Sequence, residues 1–523
     1  MPVSIRTLHR GRRGAALLVG TAAVVLALAG CSGDPSDPSD EKPTLTIALA
    51  SAPTSLDPSK GSGGANATYQ LAAYSTLLHV GEVGGEPEPA LAESWQWLDD
   101  SNQQLEITLR EGLTFSDGAA LDAEAVKGSI EHFAEGGSVF SFMAAPIESI
   151  ETPDERTVVF SLNAPTPTFP VDLAEGPGMG SIISPDALAS DPEALGTSTA
   201  GAGPYMLSKD GTVEGSEYRY VPNPEYFDPE SVAYSSVTIK VIADPNTALS
   251  TLQSGQLDIA YGSPDSYERA TSGGVEAFVR NTNVNGLWIQ DWDGVVVPAL
   301  GDQRVRQAIN LALDRESIAD AVTLGLGGPA VQTPVEGSLG YDSALDETYP
   351  FDLDQAQALM DEAGFSDGFD MPIIVPTFNT TSNALSQAIA DQLSKIGIRV
   401  QITGSNTFPE YAQAQESGTF VGTVIGLDMA QGIPAAMSNI FAPQALVNPR
   451  KTELPDVVAG VAAASALPGE AADTAWQEVN ALLVDGAYAA PVLTEPLVTY
   501  YTEAVAPLEL AGPLNPVYIA PRS

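Results

Sequence analysis

From Leu45 almost to the C-terminus, apolar runs of strand length alternate with stretches whose apolar residues recur at helical spacing. That alternation restricts the chain to an α/β architecture, with helices laid against a sheet. Residues 45–50 predict the first core strand, and the loop after it carries Ser55, Leu56, Asp57, Pro58 and the glycine-rich stretch 61–64. Residues 69–78 have helical spacing. Trp95 and Trp97, then Leu105, Ile107 and Leu109, follow the period of two expected of strands. Asp122 stands where a helix cap belongs, ahead of Ala125, Val126, Ile130 and Phe133 on one face. Further strands are expected at 157–162, 201–207, 218–222, 237–242, 398–402 and 420–425, and helices at 245–254, 354–363, 382–396 and 474–484. Val305, Ala308, Ile309, Ala312 and Leu313 form another helical stripe. The proline-rich end is expected to carry several short strands.

The first thirty residues read as an export signal. Arg6, Arg10, Arg12 and Arg13 precede an almost unbroken small and apolar run from Ala15 to Gly30. A membrane span needs roughly 20 such residues, so this shorter run fits a cleavable signal peptide. It ends in Leu28, Ala29, Gly30 and Cys31, the single cysteine of the chain, and resembles the lipobox of bacterial lipoproteins. Cys31 is therefore the expected lipidation site. Acyl chains gain about 0.8 kcal/mol per buried methylene, enough for two or three to hold a protein at a membrane. Residues 31–44, with an SDPSD repeat, read as a flexible tether. One cysteine has no intrachain partner for a disulfide.

Removing the first 30 of 523 residues leaves 493, enough for two or three domains. The formal charge, −45, becomes −49 when the four signal arginines go. Such a surface repels phosphate backbones and excludes nucleic-acid binding. The acids are spread along the chain, as solvated faces require.

Catalytic signatures are missing. No GxSxG occurs, and the run from Gly196 to Gly201 has the wrong spacing. His79 and His132 are the only histidines after the signal, too few for the usual zinc sites; His132 reads as a surface or packing residue beside Phe133. No phosphate-cradling GxxxxGK[ST] is present, and Gly325 to Pro329 fails the dinucleotide pattern. Asp352 and Asp354 read as helix-start acids, not a calcium loop. No enzyme activity, cofactor or metal is expected.

Together these pieces resemble the dipeptide- and oligopeptide-binding family, family 5, of extracytoplasmic solute-binding proteins of ABC importers. The resemblance runs from about Leu45 to the C-terminus. It is carried by Leu56-Asp-Pro58, Pro89-Ala-Leu-Ala-Glu-Ser-Trp95, Leu109-Arg-Glu-Gly-Leu-Thr-Phe115 with Ser116-Asp-Gly118, and Asp122-Ala-Glu-Ala-Val126. Gly203-Pro-Tyr205, Asn223-Pro-Glu-Tyr226 and Leu252-Gln-Ser-Gly-Gln-Leu-Asp258 follow. Arg304-Val-Arg-Gln-Ala-Ile309, Ala312-Leu-Asp-Arg315 and Gln392-Leu-Ser-Lys-Ile-Gly-Ile398 complete the set. Most look structural: Gly118 and Gly203 suit turns, Trp95 and Phe115 offer core surface, and Arg304, Arg306 and Arg315 suit local acids or carbonyls.

The resemblance implies a two-lobed periplasmic-binding-protein-like α/β fold with an extra subdomain. Its parts would be lobe I at 45–285, with a subdomain at about 80–198, lobe II at 286–490, and a return to lobe I at 491–523. Chain crossings near 285–290 and Pro491 would form the hinge. It also implies ligand contacts at Gly64, Ala65 and Asn66 after the first strand, and at Phe378 ahead of Asn379. Trp288, near the crossing, is either a further aromatic wall or a core tryptophan. Where peptide-binding members carry an aspartate after a Gly-Trp pair, this chain has Ala430 and Leu427, and Asp428 is the candidate substitute two residues away. The expected protein is a monomeric, lipid-anchored receptor on the outer face of the cell membrane, capturing a peptide or similar small organic solute for permease subunits. A sensory receptor of the same fold, and an acidic secreted enzyme or wall-associated protein, are the alternative readings.

Overall fold

A computed structural model describes residues 42–522 apart from positions 62, 63, 84, 100, 139, 177, 444, 446 and 468. The expected signal peptide, Cys31 and most of the tether lie outside the described residues.

Ten strands form one sheet. They are β1 (Thr44–Leu49), β2 (Tyr205–Leu207), β3 (Glu217–Pro222), β4 (Ser236–Val241), β5 (Ile259–Tyr261), β6 (Glu276–Ile289), β7 (Phe369–Pro376), β8 (Ile398–Ser405), β9 (Gly422–Asp428) and β10 (Ala490–Tyr501). Their order is β8-β7-β9-β6-β10-β5-β1-β4-β3-β2. β1 lies parallel between β4 and β5, and its Leu45 and Ile47 are fully buried, as a strand covered on both faces requires. At the other end β7 runs parallel to both β8 and β9.

The two halves are joined by β6 and β10, which pair antiparallel from Glu276 opposite Tyr501 to Leu287 opposite Ala490. These strands are longer than the crossings expected from sequence, and β10 replaces the several short strands expected at the C-terminal end. Val492, Leu493, Val498 and Tyr500 are buried along it, which favours one continuous strand.

Besides a small cluster that includes Ala248, Leu249, Leu252, Ala270 and Tyr500, there are three larger apolar cores. One spans Val284 to Leu493. A second gathers Leu45, Ile47, Tyr205, Tyr220, Val237, Ile239 and the C-terminal Ile519. The third lies between a four-stranded antiparallel sheet and the helix Ala123–Glu135. That helix starts as expected, with the Asp122 carboxylate accepting from Ala125 N–H at 2.9 Å, a cap that contributes about 1 kcal/mol. Phe115 is buried in this core, whereas Trp95 is only partly buried and donates its indole N–H to Pro87 O.

Two boundaries differ from the sequence reading. The helix placed at 69–78 is Gly64–Leu71, because the chain turns after Leu71 and Leu78 joins a two-residue strand. The strand placed at 201–207 contracts to Tyr205–Leu207. Gly201 and Gly203 lie so close to Ala73 and Tyr74 that a Cβ on either would meet backbone within 2.6 Å, a close approach that only glycine permits.

The recurrent arginines are structural, in line with the sequence reading. Arg304 pairs with Asp302 at 2.7 Å. Buried Arg306 donates to Leu300 O and Gly486 O. Arg315 clamps the carbonyls of Asn310, Ala330 and Pro491; burial brings its guanidinium down to about 10.

Candidate binding cleft

Parallel strands leave their C-terminal ends together, and ligands of open α/β sheets settle beyond those ends. Here β1 and β5 from one half, and β7, β8 and β9 from the other, all end toward the crossing strands. A cavity of about 520 Å³ lies against the crossing strands themselves, within the range that encloses small organic ligands. The crossing strands contribute residues 278–282, Val284 and Thr494, and the segment after the helix Arg315–Thr323 contributes residues 328–332, 334–336, Tyr341 and Asp346. Val83 and Leu510 complete the wall.

Alternation along the crossing strands decides which side chains meet this cavity. Val284 is opposite Thr494, and both line it. Their neighbours Asn285 and Glu495 face the other side, where Asn285 donates to Ser382 Oγ at 3.1 Å and Glu495 Oε2 at 3.2 Å.

Leu510 also borders a smaller cavity of about 140 Å³, lined by His79, Val80, Gly81, Val171, Glu175, residues 509–513, Asn515, Tyr518 and Gln431. His79 Nδ1 lies 2.7 Å from Glu175 Oε1, and its ring stacks on Tyr518 with centroids 3.9 Å apart. Burial, with nearby carboxylates, keeps the Tyr518 hydroxyl far above the usual phenol range. Gln431 belongs to the turn after β9, so this cavity joins that turn to the C-terminal segment 509–518 and to the residues around His79 and Glu175. Two further contacts join the antiparallel-sheet region to the 284–493 core. Asn102 Nδ2 donates to Ser465 O at 2.9 Å, and Val83 packs against that core.

The residues singled out in the sequence take varied positions. Gly64 and Ala65 open the helix Gly64–Leu71. Asn66 is 1% exposed; its amide donates to Thr54 Oγ1 at 2.8 Å and its carbonyl accepts from Thr54 N at 3.0 Å. It braces the loop after β1. Trp288 is fully buried and donates to Ile425 O at 2.7 Å, so in this conformation it offers a solute no surface. Phe378 is 49% exposed beside Asn379, whose side chain accepts from Ser382 N and caps the helix Thr380–Ser394. Asp428 is exposed at the end of β9, opposite Asn283, and accepts from Ala430 N at 2.9 Å. Asn66, Trp288, Phe378 and Asp428 line neither cavity.

Arg280, Thr282, Gln332, Glu336 and Thr494 do line the larger cavity and had no motif to mark them. One signal was available: Arg280 is a cation within a strand of a chain having 67 acidic and 22 basic residues.

His132 has a structural role. Its Nε2 lies 3.1 Å from Asp57 Oδ2 and 3.0 Å from Ser59 Oγ. Burial raises the Asp57 carboxyl, but these hydrogen bonds overcome it and hold the group below its ordinary value. Both partners share one imidazole nitrogen, so the group cannot relay a proton from serine through histidine to aspartate. It pins the helix Ala123–Glu135 to the loop after β1.

Residues 86–441 match the family model described as bacterial extracellular solute-binding proteins, family 5 Middle. The glutathione-binding protein GsiB of Salmonella paratyphi A is 26% identical over 381 residues, covering 72% of each chain. Among solved structures, the ABC transporter-associated periplasmic binding protein DppA of Helicobacter pylori, in complex with peptide STSA, superposes with a TM-score of 0.77 at 20% identity. The match covers 92% of this chain and 98% of that one. The binding protein AgaA from A. tumefaciens R10, in complex with agropinic acid, gives 0.77 at 22% identity, covering 92% and 99%. These structures share the two-lobed fold.

Proposed function

Because the chain belongs to the bacterial extracellular solute-binding proteins of family 5, we propose that it captures a peptide or similar small organic solute between its lobes for delivery to an ABC permease. The observation that carries this reading is the cavity of about 520 Å³, floored by the two crossing strands and walled by the segment 328–346 with Val83 and Leu510. We take 45–285 with 491–523 as lobe I, about 80–198 as its subdomain, and 286–490 as lobe II. A solute touching both lobes gains contacts when they close, and that difference draws the equilibrium toward the closed form. Binding of this kind requires no covalent chemistry.

The relatives support a peptide-like ligand: one is named for glutathione, and one solved neighbour holds a peptide. The agropinic acid complex widens the class to other small organic acids. Asp428 remains the candidate amino-group anchor. Its exposed carboxylate is three residues from Gln431 in the smaller cavity. Phe378 adds an exposed aromatic face to the turn after β7, and Gly64 and Ala65 open the helix that follows the loop after β1. Cys31 would carry the lipid that holds a monomeric receptor at the membrane. A Cys31→Ser variant should move from the membrane to the soluble extracellular fraction.

Calorimetry on the chain lacking residues 1–30, with glutathione and Ala-Ala-Ala as probes, tests the solute class. One site per chain is expected for at least one probe; no heat with either contradicts it. Asp428→Asn should weaken a peptide with a free amino terminus and spare its N-acetylated form. Equal effects on both remove Asp428 as the anchor.

A further inference from the structure

Charge is divided unevenly in the larger cavity. Among the described residues that line it Arg280 is the only cation, while Glu336 and Asp346 stand on the opposite segment. Elsewhere in this acidic chain Arg156, Arg304, Arg399 and Arg522 each hold a carboxylate. Arg280, like the buried Arg306 and Arg315, donates to a backbone carbonyl, here Ala511 O at 2.6 Å, and no ion pair among the described residues includes it.

The backbone is shaped at the same point. Arg280 is opposite Leu497 and Asn283 opposite Glu495, so three steps on β6 face two on β10. This bulge breaks the alternation after Arg280, where Asn281 and Thr282 in succession also border the cavity, the re-aiming of side chains for which bulges are used.

The opposite wall is fixed by uncharged donors. Gln332 Nε2 reaches Asp346 Oδ1 at 2.6 Å and Tyr341 OH reaches Asp346 Oδ2 at 2.7 Å. Gln332 is itself held by Asn480 and Asp342. A carboxylate so placed has its direction set but no cation.

We propose that Arg280 is the carboxylate anchor of the solute. The solute then lies in one direction, its acid against the crossing strands. An arginine fork suits a carboxylate because it offers two parallel donors. The inference rests on the reading that this cavity holds a peptide-like solute, and it specifies how such a solute is oriented.

The test compares Ala-Ala-Ala with its C-terminal amide, and with glutathione, by calorimetry on the unmodified chain, Arg280→Gln and Arg280→Lys. The unmodified chain should prefer the free acid over the amide at least tenfold. Arg280→Gln should remove that preference by weakening the acid alone, and Arg280→Lys should keep part of it. Unfolding temperatures without solute separate a loss of affinity from a loss of fold, since the bond to Ala511 O is also removed. Equal binding of acid and amide by the unmodified chain, or equal weakening of both in Arg280→Gln, overturns the anchor while leaving solute capture intact. If the unmodified chain binds none of the three probes, the peptide reading fails and the anchor with it.

Discussion

Trp288 separates packing from recognition, and Trp288→Phe measures which it serves. The indole is fully buried, and its N–H donates to Ile425 O at 2.7 Å. Phenylalanine removes the donor and leaves that carbonyl short of a buried partner, which costs about 1–3 kcal/mol. The smaller ring leaves a void worth about 1 kcal/mol more. The expected loss is about 2–4 kcal/mol. Unfolding entropy is about 2.1 cal/mol/K per residue, or about 1 kcal/mol/K for the roughly 480 described residues if they unfold together. The melting temperature should therefore fall by about 2–4 °C, read by calorimetry or near-UV circular dichroism. Solute affinity of the folded variant should stay within about twofold. An unchanged melting temperature with solute binding abolished would refute the packing argument and return Trp288 to the cleft wall.

Asp172 supplies a pH signature. Burial pushes its carboxyl up to about 7, above the unfolded value near 3.9. The neutral form is favoured on folding, so no penalty exists below about pH 4, and stability falls as pH rises from about 4 to 7. The side chain keeps part of its surface, and solvent screening reduces the effect to about 1–2 kcal/mol. Asp172→Asn should therefore melt higher than the parent at pH 8 and alike at pH 4; the same difference at both values contradicts this. At Gly286 a Cβ would meet Ala490 O at 2.5 Å and Pro491 Cα at 2.6 Å, so Gly286→Ala should destabilise the crossing strands by roughly 1–3 kcal/mol. A neutral effect in urea unfolding would mean that the strands part freely. A bound solute at about 100 times its dissociation constant should add roughly 2.7 kcal/mol to unfolding, and a flat thermal-shift titration argues against specific capture.

Local signals carried much of the fold. The period of two in residues 45–50 and 105–109, the Asp122 and Asp352 caps, and Gly397 at φ +82° between helix and strand all occur where physical rules place them. β7 was illegible for a local reason. Its run Phe369–Pro376 contains Pro372 and Pro376, residues that argue against a central strand. It forms because each face is covered, with Met371, Ile373, Ile374 and Val375 buried. The long crossing strands were also hidden, since their apolar pattern changes as each passes from one core to another.

The cleft was less legible than the frame. Trp288 and Phe378 are both aromatic and near expected turns, yet one is buried and the other half exposed. Which side of a strand meets a cavity depends on register, and the bulge between Arg280 and Asn283 shifts that register. Arg280 and Asp346 face the same cavity from segments 66 positions apart, a proximity that only the folded sheet creates.

Capture by closure is the central claim, and small-angle X-ray scattering tests it directly on the chain without residues 1–30. With a saturating solute identified by calorimetry, the radius of gyration should fall and the pair-distance distribution should lose its longest vectors. Curves that superpose with and without a bound solute would contradict a receptor whose lobes close on what they hold.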